Sequence, residues 1–114
     1  MQVRVPTQVT VLGTVYEIKY LDSMPDLHGE TLLTSKVINI NIGHESRSEL
    51  VATIFHETMH AVLWESGMTS VIDDSPKEEG IIRALENALK EQYKISSGIY
   101  SKHKTIQLTG NNND

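Results

Sequence analysis

Apolar and polar residues alternate in the first part of this chain and recur at helical spacing in the second. Val9 and Val11 stand among polar residues, and Tyr16, Ile18 and Tyr20 alternate with Glu17 and Lys19. That two-residue period belongs to half-buried strands. Gly13-Thr14 separates the two runs, so a hairpin is predicted across residues 9–20. The polar stretch 22–30, with Pro25 and Gly29, reads as a loop. Over 36–42, Ile38, Ile40 and Ile42 alternate with Asn39 and Asn41, and Gly43 follows: a further strand.

The period then changes. Ser46-Arg47-Ser48-Glu49 is a capping box, in which the serine hydroxyl accepts from the Glu49 amide and the Glu49 carboxylate reaches back. No Gly or Pro interrupts the chain from there to Glu65, and Gly67 stands where a left-handed cap belongs. A helix is predicted over 47–66. Leu50, Val51, Ile54, Phe55, Ala61 and Val62 gather on one broad face, which Leu63 and Trp64 widen. Residues 71–75 form a linker. Ser75-Pro76 and the acids after it open another helix, and Ile82, Leu85, Leu89 and Tyr93 carry it over 77–95. Residues 104–108 read as a short edge strand and 110–114 as a disordered tail. The expectation is one α+β domain over 1–109: a small N-terminal antiparallel sheet followed by two packed helices.

Composition removes several function classes. The 114 residues contain no cysteine, which excludes disulfide scaffolds, thiol catalysis and Cys-based metal sites. No apolar run approaches the ~20 residues needed to span a bilayer, and the N-terminus lacks the pattern of a signal peptide. A cytoplasmic location is therefore expected. Ten basic against fifteen acidic residues give a net charge of −5, with no basic stripe to mark a nucleic-acid partner.

Within the first helix, His56-Glu57-Thr58-Met59-His60 places two imidazoles at i and i+4, on one face and one turn apart. Both can reach one zinc ion, and Glu57 on the flank of that face is placed as general base for a water the metal activates. A catalytic zinc needs a third protein ligand. The residues after His60 are Ala61-Val62-Leu63-Trp64-Glu65, so no third histidine follows closely. Glu78 and Glu79, at the start of the second helix, are the candidates, and helical angles do not decide between them. Glu86 lies two turns further on and is not expected to reach. Asp73 and Asp74 are fallbacks.

This chain resembles the small H-E-x-x-H metallopeptidases of phages and prophages, of the SprT-like, ImmA/IrrE-like and minimal gluzincin kind. The resemblance runs over residues 9–93. It rests on Phe55-His56-Glu57-Thr58-Met59-His60-Ala61 and on the spacing of Ile82, Leu85, Asn87 and Leu89. It implies a minimal zincin fold and a Zn2+ ion held by His56, His60 and Glu79, with Glu78 the second choice for the third ligand. Glu57 would be the catalytic base, a protein or peptide the substrate, and a host-cell cytoplasm the setting. Glu86 stands where that family usually has a small residue, which leaves room for a second acid near the metal. The resemblance also implies that the strand over 36–42 offers an edge to the substrate. A catalytically silent, zinc-stabilised binding module is the alternative function. Tyr93, Tyr100, His103 and Arg83 are the candidates for stabilising an oxyanion. Trp64 and Met59 read as core.

Overall fold

The computed structural model describes residues 1–43, 45–70, 75–89, 95 and 98–108. The predicted hairpin forms from β2 (Gln8–Val11) and β3 (Thr14–Leu21), joined by the two-residue turn Leu12-Gly13 with both φ values positive, 48° and 84°. Such a turn matches the right-handed twist of the strands it joins. Val9, Val11, Tyr16 and Ile18 point inward from this pair. The strand predicted over 36–42 is β5 (Val37–Asn41), with Ile38 and Ile40 fully buried.

Two further strands complete this sheet. β4 (Gly29–Leu32) pairs antiparallel with β5, and β6 (Tyr100–Ser101) pairs antiparallel with β2. The order is β4-β5-β3-β2-β6, with β3 and β5 its one parallel pair. β1 (Gln2–Val5) and β7 (Lys104–Gln107) form a separate antiparallel ribbon, so the short strand expected near residue 104 is present.

Two expectations are corrected here. Residues 29 and 30 belong to β4 rather than to a loop, and β5 lies inside the sheet, between β3 and β4, with no edge to offer. The terminal strand is β4. Asn41 N–H donates to His28 O at 2.8 Å, which fixes 28/41, 30/39 and 32/37 as the hydrogen-bonded pairs of the ladder. The main-chain groups of Gly29 and Thr31 therefore face away from the sheet.

α1 (Arg47–Glu65) crosses the sheet. Both halves of the capping box are made: Glu49 N–H donates to Ser46 Oγ at 3.2 Å, and Ser46 N–H to Glu49 Oε1 at 3.1 Å. Leu50, Ile54 and Ala61 join the valines and isoleucines of the sheet in one core. Thr58, also fully buried, satisfies its hydroxyl on Ile54 O at 2.7 Å and on Tyr100 Oη at 2.9 Å. Trp64, expected in the core, is 44 % exposed. It occupies a turn whose core-facing positions are Ala61 and Val62.

The far end of α1 is tied down by Glu65. Its Oε2 accepts from Tyr16 Oη and from Lys36 Nζ, each at 2.7 Å, and its Oε1 accepts from Thr14 Oγ1 at 3.2 Å. These donors hold the Glu65 carboxyl below the ordinary carboxylate range, Lys36 contributing most. Burial and the same carboxylate push the Tyr16 phenol up.

After Gly67 and a single 3-10 turn (Met68–Ser70) comes α2 (Ser75–Leu89). The helix was expected over 77–95; residues 90–94, with Tyr93, lie outside the described residues, as do Asp73, Asp74 and the tail. Ile82 is the one buried residue of α2. No described helix is long and apolar enough to cross a membrane.

Candidate functional site

α1 and α2 run antiparallel across the site, and this sets which side chains meet. His60, one turn along α1 from His56, faces the start of α2, while His56 faces its later turns. Glu78 Oε1 lies 2.7 Å from His60 Nδ1, and Glu86 Oε1 lies 2.5 Å from His56 Nδ1. Between them, Glu79 divides its carboxylate between the two rings: Oε2 is 3.1 Å from His56 Nε2 and Oε1 is 2.9 Å from His60 Nε2. Both imidazoles thus turn the same nitrogen toward Glu79 and the other nitrogen toward a flanking acid. The rings stand edge to face with centroids 5.1 Å apart.

His56, His60 and Glu79 each offer one donor atom, and these atoms lie within 4.8 Å of one another. The donor set suits a metal. Neutral imidazole carries one N–H, and an ionised carboxylate only accepts. If each Nδ1 gives its proton to Glu78 or Glu86, each Nε2 presents a lone pair to an oxygen of Glu79. A shared cation satisfies that arrangement, and two imidazoles with a carboxylate are ligands suited to zinc. Of the two helix-2 acids left open by helical angles, Glu79 takes the shared position and Glu78 a flanking one. Glu86, not expected to reach, contacts His56.

Glu57 lines the same cleft. It is 7 % exposed, and Thr31 Oγ1 reaches both its carbonyl, at 2.9 Å, and its Oε1, at 2.8 Å. Burial pushes its carboxyl above the ordinary carboxylate range, against the Thr31 hydrogen bond and the neighbouring His60 and His56 rings, with the charge of Glu79 adding a smaller upward push. A buried carboxyl with a raised pKa beside a cleft is a recurring property of catalytic bases.

β4 sits close enough to Glu57 because residue 29 is a glycine. A Cβ there would stand 2.9 Å from Thr53 Cγ2, 3.1 Å from Asn39 O and 3.1 Å from Glu57 Cγ. The strand and α1 enclose a cleft of about 560 Å³, floored by His56, Glu57 and His60 and walled by Gly29, Glu30 and Thr31. Sequence reasoning missed this strand; Gly29, the residue that marked it as loop, is what allows its close approach.

The oxyanion candidates are placed elsewhere. Tyr100 is in the core on Thr58, and His103 Nε2 lies 3.2 Å from Ile95 O. Arg83 is on the exposed side of α2, and none of these three lines the cleft. His28 pairs with Glu45 at 2.7 Å, next to the cleft. No protein-family model, no curated protein and no solved structure matches this chain.

Proposed function

We propose that this chain is a zinc-dependent metallopeptidase whose metal is held by His56, His60 and Glu79. The observation that carries the reading is the convergence of both Nε2 atoms on one carboxylate, with the buried Glu57 carboxyl in the same cleft. When bound, zinc supplies Lewis acidity, lowering the pKa of a water it holds and polarising a substrate carbonyl. The Glu57 carboxylate would serve as general base, taking a proton from the attacking water and returning it to the departing amine. Thr31 holds the Glu57 carboxylate in place. Gly29 and Thr31, with main-chain groups facing away from the sheet, receive the substrate as an added strand. Glu78 and Glu86 fix each imidazole so that its Nε2 faces Glu79, the arrangement in which both rings would hold the metal.

The test is Glu57→Gln. Zinc retained at one equivalent, with cleavage of a fluorescence-quenched peptide pool abolished, is the expected result. Cleavage at the wild-type rate would overturn the peptidase reading, and zinc retained by His56→Ala would overturn the metal site.

A further inference from the structure

We infer that the segment taken by this cleft is basic: an extended peptide carrying Lys or Arg side chains beside the bond presented to Glu57. The inference rests on the peptidase reading and names its substrate class. The catalytic cleft continues past the start of β4 into a smaller one of about 360 Å³; Asp26, Leu27 and His28 border both. Of the other acids on the catalytic cleft, Glu79 is the proposed ligand, Glu86 backs His56 and Glu57 is the proposed base, so their charge is committed to that site. Four more acids line the two clefts: Asp26 and Glu30 on the first, Asp26, Glu45 and Glu49 on the second. No described Lys or Arg lines either one. A cleft walled by one sign of charge concentrates the opposite sign and rejects its own.

Glu45 supplies the independent sign of a ligand. Its side chain is 4 % exposed, its Oε1 meets His28 Nδ1 at 2.7 Å, and its Oε2 is buried without a hydrogen-bond partner. A buried carboxylate oxygen lacking a donor is costly. An ammonium or guanidinium group entering the smaller cleft brings the donor that Glu45 lacks, and a charge-assisted bond of this kind is among the stronger ones. The peptide backbone follows β4 along Gly29 and Thr31, and a side chain near the His28 end of the strand reaches the smaller cleft.

The experiment uses the full chain with one equivalent of zinc and three sets of quenched decapeptides differing only in Lys/Arg, Gln or Glu around one fixed central bond. The basic set is expected to show kcat/KM at least about tenfold above the Gln set, and the gap should narrow as salt rises and screens the charges. Asp26→Asn should reduce the ratio about two- to threefold; Asp26 has φ 63°, a conformation Asn tolerates, so this variant keeps its fold. Glu45→Gln should reduce it further. Equal cleavage of the basic and Gln sets, or preference for the Glu set, overturns the inference and leaves the peptidase reading standing. Should no set be cleaved, the peptidase reading fails, and anisotropy of labelled peptides on the Glu57→Gln protein decides the charge question alone. Tighter binding of the Lys/Arg peptide than of the Gln peptide upholds it, and equal binding overturns it.

Discussion

Glu86 meets His56 at Nδ1, not at the nitrogen that faces Glu79. The same division holds for Glu78 and Glu79 around His60. One 15-residue helix thus provides the acid between the rings and the two acids behind them. The flanking pair and the shared acid have separable consequences.

Glu86→Leu leaves His56 free to rotate and to take the other tautomer. Zinc affinity, read by competition with a chromophoric chelator, is expected to fall about 10–100-fold, the usual cost of losing such a partner. Glu86→Gln keeps an acceptor for the Nδ1 proton and should recover most of that loss, with the His56 tautomer unchanged in a nitrogen-15 spectrum. The Glu78→Leu and Glu78→Gln pair should repeat the pattern at His60.

Gly29→Ala forces a methyl group against Thr53, Asn39 and Glu57. A cost of about 1–3 kcal/mol is expected for overpacking at such a contact, measured by denaturant unfolding. Because the strand must move away from Glu57, cleavage should fall while zinc content stays at the wild-type level. Unaltered cleavage would show that β4 does not need this approach.

Ile82 is the buried anchor of α2. Ile82→Ala is expected to cost about 2–4 kcal/mol by creating a cavity. Zinc affinity should fall with it, since Glu78, Glu79 and Glu86 all ride on that helix. Strand content by circular dichroism should persist, and hydrogen exchange should rise within α2 first.

The Lys36–Glu65 pair gives a pH-dependent contribution with a definite sign. The Glu65 carboxyl lies below its ordinary value of 4.5 in the folded chain. Its contribution is therefore complete at pH values above the unfolded pKa and is lost as pH falls through the lower, folded one. Lys36→Met should lower the melting temperature at pH 7, and the difference from wild type should shrink as pH drops below 4.5. A gap independent of pH would assign the effect of Lys36 to its packing over the Tyr16 ring, 5.4 Å away.

What could be read from the sequence follows from periodicity. The hairpin, β5, α1 with its capping box and the His56-Glu57-His60 spacing each write a repeat or a local motif into the chain, and the structure contains them. β4 could not be read this way. Its residues are half-buried or exposed, with no inward–outward alternation, because it pairs on one side only and α1 covers part of its face. The order of the acids was hidden for another reason. Glu78 and Glu79 differ by 100° of helix rotation, and the direction in which α2 crosses α1 decides which nitrogen each acid meets. That direction also brings Glu86 to His56, across two turns that seemed too far when α2 was considered by itself.

The unpaired side of β4 has a consequence for how copies of this chain behave toward one another. A strand with open main-chain groups will pair with any extended neighbour, including the same strand of another molecule. Here the strand is four residues long, and the register that sets two copies antiparallel brings Glu30 and the acidic clefts of both molecules together. Like charge facing like charge opposes self-pairing at the edge that accepts a cationic strand. Raising the salt concentration weakens that opposition. Solutions of this protein are therefore expected to self-associate first at high ionic strength.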